Sequence, residues 1–250
     1  MSKNDPSSIA ERALVAARKS LTSRFAGAAL AFVSGSIMRG AGTLASDIDL
    51  VVVFPRLERA WRESFVEDEF PVEAFVHDRQ TLAYFFEQDV KNGRPIMAHT
   101  VATGRIIGAD GNLARVIQTE AAAILARGPT PLAGAGYDRM RYLVSDLADD
   151  LRGDRPAAEI RAIATHLYQQ LADLMLLGRG AWTGNGKWAP RLLGQLDVGL
   201  AEAFDRAFEQ AFAGNSAPLL TLTDAELARH GGHYFAGYRQ DAPLEARLVG

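Results

Sequence analysis

No cysteine occurs among the 250 residues. That excludes disulfides, cysteine-ligated zinc and iron–sulfur clusters. The five histidines show no zinc-ligand spacing, so no zinc centre is expected. A surplus of positive charge is also missing: 27 Lys and Arg against 30 Asp and Glu leave a formal net charge of -3. A protein that grips nucleic-acid phosphates needs a basic stripe, so no nucleic-acid partner is expected, and neither is a template-directed or tRNA-tailing polymerase. No apolar run is long enough to span a bilayer. Met1 to Pro6 is polar and leads into an amphipathic pattern rather than a signal-peptide core, which predicts a cytoplasmic protein with no membrane partner. Repeats and low-complexity tracts are absent.

What is present is an ordinary globular composition, 48% hydrophobic and 23% charged, in a chain long enough for one large domain or two smaller ones. Residues 7–25 predict a helix, capped by Ser7 or Ser8, with Ile9, Leu14, Val15 and Leu21 as its apolar stripe. The run 28–34 suits a buried strand, broken at Gly35-Ser36, after which a second helical stretch is expected. Residues 48–54 are β-branched and stop at Pro55, and 71–77 is another strand candidate. Asp78 is placed to cap a helix over 79–90. A strand over 101–108 and a helix over 112–126 complete this half. Gly128-Pro-Thr-Pro131 breaks both periodicities and predicts a domain boundary. Beyond it, Met140, Leu143, Leu147 and Leu151, then Ile160 to Met175, recur at helical spacing; helices over 196–213 and near 223–229 follow the Trp182–Trp188 loop.

The pattern predicts an α+β protein. A small mixed sheet with helices on one side spans residues 1–130, and an all-helical bundle spans 131–250, with the active cleft expected between the two.

The chemistry lies in the first half. Asp47 and Asp49 flank Ile48 at the start of an apolar strand, so both project from one face. Two carboxylates at that spacing repel unless a cation lies between them, and magnesium is the hard ion that keeps room for phosphate oxygens. Glu73 has the same alternation on the next strand candidate. If the strands are neighbours, three acids suit two magnesium ions that clamp attacking and leaving oxygens. Glu73 would ligate a metal, accept a hydroxyl proton, or do both. Gly35 and Ser36 offer backbone N–H groups and a hydroxyl to phosphate oxygens, with help expected from the following helix dipole. Arg39 and Ser46 are further candidates for phosphate contact.

These residues resemble a known signature. Gly35-Ser36, Arg39-Gly40, Gly42, Thr43 and Ser46-Asp47-Ile48-Asp49-Leu50 look like that of the DNA-polymerase-beta-like nucleotidyltransferase superfamily. The nearest branch is that of the antibiotic nucleotidyltransferases, such as the kanamycin and streptomycin/spectinomycin enzymes. The resemblance covers about residues 28–110. It implies that Asp47 and Asp49 bind magnesium, that Glu73 is a metal ligand or general base, and that Gly35 and Ser36 contact the triphosphate.

Other features have plainer readings beside functional ones. Lys187, in a Gly-Asn-Gly-Lys-Trp loop, could reach the triphosphate or be a solvated loop lysine; with Trp188 following it, the loop is not a Walker A sequence. Asp146, Asp149, Asp150 and Asp154 could hold a cationic acceptor, though a solvated helix face is the simpler expectation. Arg161 and His166 have the spacing of the Arg-x4-His pair of HEPN ribonucleases, but Ala162 departs from that pattern. His77 could line the acid site. His230 to Tyr234 reads as a helix-ending turn that docks an aromatic.

The expected reaction is transfer of a nucleoside monophosphate, AMP from ATP, to a hydroxyl of a small molecule such as an antibiotic. The alternative is an antitoxin-type enzyme acting on a partner protein, against which the long helical half argues.

Overall fold

A computed structural model describes residues 6–40, 42, 46–243 and 246–247. The chain divides into two compact units, Met1–Gly128 and Pro129–Gly250.

The first unit opens with helix α1 (Pro6–Ser23), which places Ser7 and Ser8 inside the first turn rather than at its cap. Among the described residues five strands follow: β1 (Leu30–Ser34), β2 (Ile48–Val53), β3 (Trp61–Glu67), β4 (Phe70–His77) and β5 (Arg105–Gly108). They form one mixed sheet in the order β3-β4-β2-β1-β5, which leaves β3 and β5 as the outer strands. Only β2 and β4 are parallel; the other neighbours run antiparallel.

Helices cover both faces of this sheet, not one as the sequence suggested. Ala31, Val33, Leu50, Val52, Val72 and Val76 pack with Ala13, Ala17 and Leu21 of α1. Leu30, Phe32, Val51 and Val53 pack on the other face with α2 (Arg79–Asn92), α3 (Ile96–Thr103) and α4 (Gly111–Arg127). Every residue of β1 is buried, which is why it reads as a continuous apolar run rather than an alternating one. Val15 is 61% exposed and lies off the apolar stripe of α1.

Three further local expectations change. Residues 36–40 after Gly35 are turns, closed by Gly40 N–H to the Ile37 carbonyl, and no helix begins there. Of the expected strand 101–108, only Arg105–Gly108 is extended, because Ile96–Thr103 is helical. The start of α3 is capped from a distance: the Ala98 N–H donates to Asp89 Oδ2 of α2 at 2.7 Å. The hairpin β3–β4 was not foreseen. Its turn residues Asp68 and Glu69 have φ of 45° and 76°, a left-handed pair usually supplied by Asn-Gly. Ion pairs to α1 hold it, Arg12 to Glu69 at 2.6 Å and Lys19 to Asp68 at 2.5 Å.

Asp78 caps α2 as expected. Its Oδ1 accepts from Thr81 N–H at 2.8 Å, its own N–H donates to Thr81 Oγ1 at 3.0 Å, and Oδ2 also accepts from Leu57 N–H at 3.0 Å.

The second unit is helical: α5 (Gly134–Asp150), α6 (Ala157–Leu177), α7 (Trp188–Leu196), α8 (Val198–Phe212) and α9 (Ala217–Arg229). Leu167, Leu171, Leu174 and Met175 of α6 pack with Phe204 and Phe208 of α8. Buried Asp173 fixes the loop before α7, accepting from Thr183 Oγ1 at 2.5 Å and from Gln169 Nε2 at 2.8 Å. Helix α7 fills the stretch between the expected Trp182–Trp188 loop and the expected helix 196–213, to which no element was assigned, and α9 starts earlier than expected. Among the described residues no helix is long and apolar enough to cross a membrane.

Candidate metal centre

Strand geometry brings the three acids together. Asp47 lies just before β2, Asp49 is its second residue, and Glu73 is the fourth residue of β4. In the parallel β2–β4 ladder Asp49 and Glu73 are direct register partners. Each of Asp47, Asp49 and Glu73 offers a carboxylate oxygen, and these oxygens lie within 4.8 Å of one another. Asp47 is exposed; Asp49 and Glu73 are half-buried. The carboxylates share the sheet face of Val51 and Val53, further along β2, where the helices cover it. The face is therefore apolar toward one end of β2 and acidic at the other.

Such a cluster fits a hard divalent cation. It supplies several oxygen donors at short range, remains partly open, and carries like charges that a cation would neutralise.

Gly35 forms the wall beside the aspartates. Its φ is 104°, and a Cβ there would stand 2.9 Å from the Asp47 carbonyl oxygen and 3.4 Å from Asp49 Oδ2. Only glycine permits this approach of the β1–β2 connection to the acids. Ser34, the residue before it, is the register partner of Asp49 in β1–β2. Ser36 and Ser46 are half-buried and Arg39 is exposed. Gly42 folds back on Ile37, whose Cα would lie 2.6 Å from an added Cβ. Thr43 lies outside the described residues. Because residues 36–40 are turns, no helix among the described residues lends its macrodipole to this segment; an anion at 36–40 would rely on individual N–H groups and side chains.

Two neighbours escaped the sequence reading. Arg62 of β3 pairs with Glu73 Oε1 and lies over the Phe75 ring, 5.1 Å from its centroid. The signal for it was an unrecognised strand. His99 of α3 is held below its usual pKa by burial first and by the charge of Arg39 second, which sets it near the turn that follows Gly35. No local pattern marked it. His77, at the far end of β4, is buried with Nδ1 unpartnered; burial lowers its pKa to about 4. It sits edge-on to Phe85, 5.0 Å between centroids, in an apolar setting four residues beyond Glu73.

The remaining candidates belong to the second unit. Lys187 is exposed and immediately precedes α7. Asp149 pairs with Arg152 at 3.0 Å and Asp150 with Arg155 at 3.5 Å, so this part of the acidic face is an exposed ion-pair set. Arg161 and His166 are both exposed on α6. At about 100° per residue they point some 140° apart, which does not make a facing pair. His230 caps the end of α9, with Nδ1 at 2.8 Å from the Tyr137 hydroxyl and Nε2 at 3.0 Å from Glu226 Oε1. Gly231 and Gly232 then turn the chain at positive φ, and Tyr234 N–H donates to Ser145 Oγ at 2.9 Å.

No curated protein matches the sequence. A solved structure, a nucleotidyltransferase-like protein from Exiguobacterium sibiricum 255-15, aligns over 87% of this chain and 76% of its own. Sequence identity is 14% and the TM-score 0.42. The family model described as "Nucleotidyltransferase domain" matches residues 14–107, an interval that holds Gly35, Asp47, Asp49, Glu73 and Arg62. Residues 14–107 are thus similar to a nucleotidyltransferase domain, and the match indicates an enzyme of the nucleotidyl-transferring class.

Proposed function

We propose that this enzyme moves AMP from ATP onto a hydroxyl of a small molecule, an antibiotic-like alcohol being the favoured class, with magnesium held by Asp47, Asp49 and Glu73. The observation that carries the reading is the convergence of those carboxylate oxygens within 4.8 Å on two neighbouring strands. Magnesium, when bound there, would supply charge neutralisation to the triphosphate and lower the pKa of the acceptor hydroxyl. The protein's own contribution is positional. Asp47 and Asp49 present oxygens from one strand face. Gly35 gives the polyphosphate access to backbone N–H groups, with Ser36, Ser46 and Arg39 as its side-chain contacts. Glu73 takes up the hydroxyl proton, or would help hold the ion that acidifies the hydroxyl, the proton then passing to water. The acceptor oxygen bonds to the α-phosphorus, the bond to the β-phosphate oxygen breaks, and pyrophosphate leaves.

The test is incubation with labelled ATP and magnesium against a panel of aminoglycosides, lincosamides and candidate proteins. Label on a small hydroxylated acceptor, lost in Asp49→Ala, supports the reading. Label on a protein alone would shift it to the antitoxin-type alternative. Pyrophosphate release unaffected by Asp49→Ala would overturn the metal roles.

A further inference from the structure

The ion pair between Arg62 and Glu73 assigns a job to β3, given the metal centre proposed above. Arg62 is the register partner of Phe75, two residue pairs along the hairpin ladder from Ser64 and Glu73 and so on the same face. Its guanidinium therefore stands on the acid face of the sheet, resting on the Phe75 ring and contacting Glu73 Oε1. The arginine side chain is 60% exposed and that of the glutamate 23%.

We propose that Arg62 is the resident counter-ion of the acid cluster and gives up Glu73 when a divalent cation enters. The argument is one of charge and access. Three carboxylates crowd within coordination range, and the guanidinium contacts one of them. A metal ion sharing those oxygens would face a positive charge in contact with its own ligand, and like charges at such distances repel. Arg62 is free to yield: most of its side chain is in solvent, and exposed ion pairs are weakly held. The Phe75 ring keeps it close, ready to re-pair when the cation leaves. Metal affinity is then the result of an exchange, one cation for another, rather than of filling a bare cluster.

The experiment measures Mn2+ binding to the full chain without nucleotide, by the electron paramagnetic resonance signal of free Mn2+. It compares wild type, Arg62→Met, Arg62→Gln, Arg62→Lys, Glu73→Gln and the double variant Arg62→Met/Glu73→Gln. Circular dichroism checks folding, and Arg62→Gln serves if Arg62→Met does not fold. Loss of the guanidinium should tighten Mn2+ binding about threefold to fivefold, the range set by an exposed ion pair. Arg62→Lys should stay near wild type. In the Glu73→Gln background the gain should vanish, since the partner is gone. Unchanged or weaker binding in Arg62→Met and Arg62→Gln, with wild type binding Mn2+, overturns the exchange and leaves the metal centre standing. The same gain with and without Glu73 overturns it too. If folded wild type binds no Mn2+, the metal centre itself falls, and the exchange with it.

Discussion

Asp49 and Glu73 face each other as register partners across two parallel strands, 24 positions apart in sequence. Like charges in that relation destabilise a ladder, so the pairing is a cost that function must justify. Replacing Asp49 or Asp47 by Ala should lower nucleotidyl transfer at least about 100-fold, the usual weight of a lost electrostatic contact to a transition state. Secondary structure by circular dichroism should not change. Turnover near wild type in either variant would reject the assignment.

The same repulsion predicts a trade between stability and binding. Without metal, Asp47→Asn should melt about 1–3 °C higher than wild type, because one of three crowded charges is gone. Added Mn2+ should raise the wild-type midpoint, with a gain of about 2.7 kcal/mol at one hundred times the dissociation constant. The variant should show little of that rise. A thermal-shift titration of both proteins decides the matter.

Gly35 is the next test. At φ 104°, with a prospective Cβ 2.9 Å from the Asp47 carbonyl, Gly35→Ala adds left-handed strain and a backbone clash. A cost of about 1–3 kcal/mol is expected. Because the clash pushes on the strand entry that carries the aspartates, Mn2+ binding should weaken together with stability. Urea unfolding and metal titration on one preparation would show whether the two losses travel together.

Two buried groups set opposing pH dependences. Burial holds His77 at about 4, below its usual value near 6.5. The unfolded chain then binds more protons between pH 4 and 6.5, and stability falls as pH falls through that window. Burial raises Asp89 to about 6, against the backbone N–H bonds from Ala98, Met97 and Ile96. Here the folded chain binds more protons between about pH 4 and 6, so stability falls as pH rises. Each effect is on the order of 3 kcal/mol over its window, and in wild type they largely cancel. Asp89→Asn should expose the histidine slope, less stable at pH 4.5 than at 6.5. His77→Phe should expose the aspartate slope, more stable at pH 4.5. Denaturant midpoints at the two pH values for both variants would show parallel, not opposite, trends if this account is wrong.

The sequence was most readable where a residue's partners are near in the chain. The apolar strand after Asp47, the Asp78 cap and the leucine spacing of α6 each declare themselves within a few residues. What stayed hidden depends on distant contacts. Strand β3 reads Trp-Arg-Glu-Ser-Phe-Val-Glu, without a continuous apolar run, and its turn lacks glycine. Its strand character comes from pairing with β4, so Arg62 went unseen with it. Helix α3 takes its cap from Asp89 on another helix. Helix α7 lies almost wholly in a stretch to which the sequence assigned no element; it contains Pro190 and Gly194, yet a proline in the first turn removes no intrahelical bond. For the acids, residue type and alternation pointed to a shared face. The register that sets Asp49 opposite Glu73 rests on a crossover through β3 that no local pattern announced.

The outer position of β3 gives Arg62 a second consequence, one for solution behaviour. A free strand edge is a template on which another copy of the chain can add, and charged side chains along it discourage that addition. Here Arg62, Glu63 and Glu67 line one edge, while the other ends in a strand of four residues that begins with Arg105. Selection for colloidal stability and selection for cation exchange therefore act on one guanidinium, and lysine is the substitution that would preserve both.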